Sequence, residues 1–166
     1  MSNNNELDEF FLYMARSVGL IDECQRNKLI FEHNVLRNKE SLVFYVAVTR
    51  DANDCVHYQN LASVTAWHDK RYFLTLIAQH LPYLLWQRVL RCDDSSVEVM
   101  TPLDTAAYLQ NTLLVSHILE LPEMLHYAET EPAAYVSLID RSLTYAGEER
   151  EIITLLEEKK SLIRVM

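Results

Sequence analysis

The chain has 166 residues, 49% of them apolar, with two glycines and four prolines; this suits one domain, and so few glycines argue against a dinucleotide-binding turn, a phosphate loop or serial tight hairpins. No stretch approaches the ~18 uninterrupted apolar residues of a membrane span, and the polar start Met1-Ser2-Asn3-Asn4-Asn5 is not a signal peptide, so a soluble all-α protein is expected. Residues 1–92 carry ten acidic and ten basic side chains and residues 93–166 fourteen and five, so the net charge of −9 sits in the second half; that balance repels nucleic acid and suits a basic protein partner.

Leu7, Phe10, Phe11, Met14 and Val18 form one apolar stripe, predicting a helix capped by Asn5 and ended by Gly19. A second helix is expected over 21–37, with Asp22 and Glu23 favouring its first turn. The run Leu42–Val48 is β-branched and aromatic, and periodicity alone leaves helix and strand open. With no comparable run to pair with it, a strand there leaves backbone groups unsatisfied, so a buried helix is expected. Asp51-Ala52-Asn53-Asp54 then supplies a turn.

Helices follow near 60–69 and 71–81, carrying Trp67, Phe73, Leu74, Ile77 and Leu81. Pro82 suits a first helical position, predicting a fresh helix over 82–91 before a polar loop at 92–96. Pro102, Pro122 and Pro132 sit where further helices begin. Short amphipathic helices at this spacing suggest stacked antiparallel pairs.

Cys24, Cys55 and Cys92 are widely spaced and imply no disulfide framework, which fits a reducing, cytoplasmic setting. His33, His57, His68, His80, His117 and His126 are scattered without metal-ligand spacing, so neither a metal nor another cofactor is expected. A Cys and a His can still meet in space, which leaves a small helical enzyme with a Cys/His site as the alternative to a binding protein.

Thr101-Pro102-Leu103-Asp104-Thr105-Ala106-Ala107 resembles the opening of an ankyrin repeat, T-P-L-H-x-A, with Asp104 standing where the family has His. Tyr108–Leu119 continues like the rest of that repeat's two helices. The segment Leu61–Ile77 echoes the same layout 41 residues earlier, and Leu143–Leu156 echoes it downstream at a spacing of 37. The family period is ~33, so each unit needs an insertion, and Pro82–Arg91 and Pro122–Glu129 are the candidates. The resemblance implies all-α stacked helix pairs: an N-terminal helical segment over 1–59, ankyrin-like repeats over 60–158 and a tail over 159–166.

Such a fold implies a protein-binding scaffold without catalytic residues. Trp67, His68, Asp69, Tyr108, Gln110 and Asn111 are the expected partner contacts, because exposed aromatics and charges near repeat corners serve as anchors. The glutamate-rich block Glu148–Glu158 before an apolar end at Leu162–Met166 resembles the translocation signal of type IV-secreted effectors of intracellular bacteria. That resemblance implies delivery into a host-cell cytosol and a host or bacterial protein as partner.

Overall fold

The computed structural model of the chain describes residues 18–92 and 95–163. The protein is mainly helical, with two small antiparallel hairpins among the described residues. The expected first helix falls on residues outside those described, except Val18, which is buried in a 3-10 turn over Val18–Leu20.

Helix α1 (Gln25–Arg37) starts four residues later than the sequence suggests, after Asp22 accepts from Cys24 N–H at 3.1 Å. It is followed by the single turn α2 (Lys39–Leu42). The chain then leaves helical structure. Strand β1 (Ala47–Arg50) pairs with β2 (Val56–Gln59), with Val48 opposite Tyr58. The buried helix expected over 42–48 is therefore corrected: Leu42 ends a helix, and Phe44 is 64% exposed. Val56-His57-Tyr58-Gln59 is the partner strand that the sequence reading lacked, and it satisfies β1's backbone groups.

Two helices follow, α3 (Leu61–Trp67) and α4 (Arg71–His80), which pack on each other across a three-residue corner. Residues 82–91 also depart from expectation. Pro82–Leu85 is a 3-10 turn, and Val89–Cys92 is strand β3, paired with β4 (Ser95–Glu98). The stretch read as a helix and then a polar loop is thus a turn and a second hairpin.

That hairpin leads into α5 (Pro102–Tyr108) and α6 (Thr112–Leu119), as the first leads into α3 and α4. The chain continues through α7 (Pro122–Thr130), α8 (Pro132–Tyr145) and α9 (Arg150–Ser161). All three of these prolines sit at helix starts, where a missing N–H costs nothing.

The short helices α3 and α5 and the longer α8 pack side by side, α5 in the middle, while α9 packs on α6 and α1 on α4. Phe31 of α1 stacks on Phe73 of α4 with ring centroids 4.3 Å apart, and Glu23 Oε2 accepts from Phe73 N–H at 2.8 Å. The core runs through this row, with Leu61, Leu74, Ile77, Leu103, Val115 and Ile139 fully buried.

Polar ties recur between neighbouring units. Asn60 caps α3 by accepting from Ser63 N–H at 2.9 Å, and the Ser63 hydroxyl donates to the Met100 carbonyl. One unit on, Thr101 and Asp104 form a capping box, and the Asp104 carboxylate accepts from Ser142 Oγ at 2.7 Å. Gln59 and Met100, 41 residues apart, pair directly in an isolated parallel bridge.

The turn-forming positions use few glycines. Asp54, Asp69 and Gln110 adopt left-handed φ of 63°, 56° and 58°, and Gly147 adopts 63°. Asp69, Gln110 and Gly147 each stand at the corner between two helices. Asp tolerates this region through local hydrogen bonding, which is how the turn of the first hairpin and the Asp69 corner form without glycine.

Ala107 is fully buried on α5, within the row. Ala107→Arg should lower stability by ~2–4 kcal/mol through overpacking and an unpaired buried charge. Urea unfolding measures it; an unchanged midpoint would place that face of α5 in solvent.

Candidate functional site

The first hairpin leans on the helix row through Asp51, the residue that starts its turn. Asp51 Oδ1 accepts from Asn53 N–H at 2.8 Å and Cys55 N–H at 3.0 Å, which closes the turn. Asp51 Oδ2 accepts from His57 Nε2–H at 3.0 Å and from the Tyr108 hydroxyl at the end of α5. One carboxylate thus shapes the hairpin with one oxygen and fastens it to the helices with the other.

The His57 ring sits among aromatic side chains. Its centroid lies 4.9 Å from that of Tyr108 and 5.7 Å from that of Trp67. Trp67 and Tyr108 lie roughly parallel at 6.4 Å, and Tyr145 meets Tyr108 edge-on at 6.3 Å. Trp67, Tyr108 and Tyr145 are the last residues of α3, α5 and α8, so the row of helices carries a ladder of aromatic rings at one end. Edge and offset contacts of this kind add to the area they bury.

The electrostatics follow from these bonds. The Tyr108 and His57 donors hold the Asp51 carboxyl well below the usual carboxylate range. Donation to that carboxylate, with a smaller contribution from burial, pushes the Tyr108 phenol up to about 12. At neutral pH the pair is an ionised carboxylate and a protonated phenol.

The six expected contact residues separate into three kinds. Trp67 and Tyr108 are half-buried in the ladder, beneath the hairpin. Asn111 caps α6, accepting from Leu114 N–H at 3.1 Å. His68, Asp69 and Gln110 are exposed at the corners just beyond the ladder. Asp69 pairs with Arg71 at 3.1 Å, and the His68 ring leaves Gly19 no room for a Cβ, which would lie 2.4 Å from Nδ1. Where its ring packs against Gly19 the His68 imidazole is partly desolvated, which with the nearby Lys70 charge holds it below its ordinary range.

Asp51, His57 and Tyr145 belong to the cluster but were not among the residues singled out. Asp51 was legible as a turn former, and Tyr145 lies 37 residues after Tyr108, at the downstream repeat spacing. The tie between Asp51 and Tyr108 spans 57 residues and has no local signal.

Cys24 and Cys55 are exposed free thiols. The imidazole nearest Cys55 in sequence, His57, turns its Nε2 to Asp51. No group of three or more His, Cys, Asp or Glu among the described residues could hold a metal ion, and no helix there is long and apolar enough to cross a membrane.

On its outer side the hairpin presents an apolar face: Val48 is 56% exposed and its cross-strand partner Tyr58 43% exposed, with Val56 beside them. The inner residues His57 and Gln59 face the helices. No protein-family model, curated protein or solved structure matches the chain.

The lowered pKa of Asp51 fixes the sign of a pH test. Its stabilising contribution is complete above the unfolded-state value of 3.8 and is lost as pH falls toward the lower folded-state value. The stability difference between the wild type and Asp51→Asn should be constant from neutral pH to about pH 4 and shrink below it. Thermal melts of both proteins across that range measure it; a difference independent of pH would remove the ionised carboxylate from the tie.

Proposed function

We propose that the chain is a protein-interaction module built on ankyrin-like helical repeats, docking its partner on the outer face of the first hairpin and the adjoining helix corners. The recurrence of short helix, left-handed corner and second helix at a 41-residue offset, each set preceded by a hairpin, carries the reading. It relates Asn60 to Thr101, Ser63 to Asp104, Trp67 to Tyr108 and Asp69 to Gln110. Repeat arrays of this kind act through extended surfaces, since each unit buries its core against its neighbours and leaves its loops for contact.

The Asp51 latch supports the same reading. It holds a two-stranded hairpin, marginal by itself, in one place on the helices. An apolar face held rigid binds with little loss of conformational entropy. Val48, Val56 and Tyr58 supply the apolar centre of such a surface, and His68, Asp69 and Gln110 a polar rim. The glutamate-rich segment Glu148–Glu158 favours a bacterial effector, or an effector's regulator, as the setting, with a host or bacterial protein as partner. In the structure Glu149 and Glu151 also serve α9 locally, Glu149 as its cap.

Val48→Ala and Tyr58→Ala test the surface, because both side chains are exposed and their loss should leave stability nearly unchanged. Against a partner purified after capture by the wild type, each should weaken affinity about tenfold, typical of a residue near an interface centre. Binding of a basic partner should also weaken as salt rises. Undiminished binding by both variants would reject the surface; saturable small-molecule turnover by the purified protein would favour the Cys/His enzyme instead.

A further inference from the structure

The two segments that lengthen the repeats beyond the ankyrin period come together in space. Each opens with a Leu-Pro dipeptide, Leu81-Pro82 and Leu121-Pro122. Trp86, just after the 3-10 turn, stacks on Tyr127 of α7 with centroids 4.0 Å apart and planes within 5° of parallel. Beside this pair lies an open groove of about 730 Å³, lined by both prolines, Trp86, Tyr127, Glu123 and Glu131 among others. It shares no lining residue with the Asp51 latch or with the outer face of the hairpin.

Its two carboxylates, Glu123 and Glu131, share the lining with His126 and Thr130. Glu123 and Tyr127 lie four residues apart on α7, and Glu131, the residue just past the helix with its N–H still bonded to the Tyr127 carbonyl at 2.8 Å, lines the same groove. The two glutamates stand roughly 12 Å apart along the axis, at ~1.5 Å per residue. Glu123 Oε1 is buried without a hydrogen-bond partner, and no ion pair among the described residues reaches Glu123 or Glu131. A carboxylate oxygen shielded from water and lacking a donor is costly unless a ligand supplies one.

We propose that this groove binds an extended, arginine-bearing peptide segment of a partner protein, with two arginines four residues apart. Two flat rings stacked in parallel form a wall rather than a rounded cage, and a planar guanidinium lies flat on such a wall. The guanidinium fork also donates in pairs to carboxylates, which Glu123 and Glu131 provide. An extended or polyproline chain advances ~3.1–3.3 Å per residue, so side chains four residues apart match the separation of the two glutamates. The flanking prolines and aromatic rings are surfaces on which such extended chains dock.

The test is calorimetric titration of the full chain with the acetylated, amidated peptide Arg-Pro-Ala-Pro-Arg, alongside versions carrying lysine or norleucine at both ends. The arginine peptide should bind saturably, the lysine peptide several-fold more weakly and the norleucine peptide at least tenfold more weakly. The double variant Glu123→Gln/Glu131→Gln should lose at least tenfold in affinity for the arginine peptide while keeping the wild-type melting temperature. Tyr58→Ala should bind it as the wild type does, which separates this groove from the hairpin surface. No saturable binding of the arginine peptide would overturn the proposal. So would equal binding of the lysine or norleucine peptide, or full affinity in the double glutamine variant.

Discussion

A fully buried carboxylate, Asp104, sits at the joint on which the helix row depends. It accepts from the Thr101 backbone N–H at 3.1 Å and from the Ser142 hydroxyl, and it lies 3.3 Å from Arg141 Nε. Burial raises its pKa, against the lowering effects of Ser142, Thr101 and Arg141. Each partner comes from a different requirement of the fold. Thr101 starts α5, Ser142 lies on α8, and Arg141 also donates to the Val99 carbonyl and pairs with Glu98 on the second hairpin. Helix cap, neighbouring helix and hairpin are thereby fixed by one side chain. A buried charge met in this way is costly to disturb from any side.

The other strongly perturbed aspartate behaves oppositely, and the contrast separates the joint from the latch. Asp51 has its carboxyl pKa lowered because four donors converge on it and together outweigh desolvation. Asp104 has its pKa raised because desolvation outweighs its donors. Ionisation therefore strengthens the attachment of the first hairpin, whereas Asp104 is tolerated in the core through its geometry. The hairpin and the Trp86–Tyr127 groove both lie outside this joint, on segments that the helix row leaves free to carry contacts.

Much of the helical part was legible because its signals are local. Proline at first helical positions and the Thr101–Ala107 motif located α5, α7 and α8 closely, and the 41-residue offset matched α3 to α5. The hairpins were not legible, for two reasons. Strands of four residues carry little periodicity, and the left-handed turn conformation that glycine usually marks is taken in the first hairpin by Asp54. The candidate site was half visible: Trp67 and Tyr108 stood out at equivalent positions, but their burial depends on a hairpin of which the sequence showed only the turn at Asp51–Asp54. The tie at Asp104 was not legible, because its partners on α8 lie 37 and 38 residues on.

A double-mutant cycle on Asp104 and Ser142 bears most directly on the claim that buried polar ties join one helix unit to the next. The account predicts that Asp104→Ala and Ser142→Ala each destabilise the protein and that their effects fall short of additive by ~1–2 kcal/mol, the coupling of a direct bond to a carboxylate. Strict additivity in urea unfolding would contradict it, because the two units would then be joined by apolar packing alone.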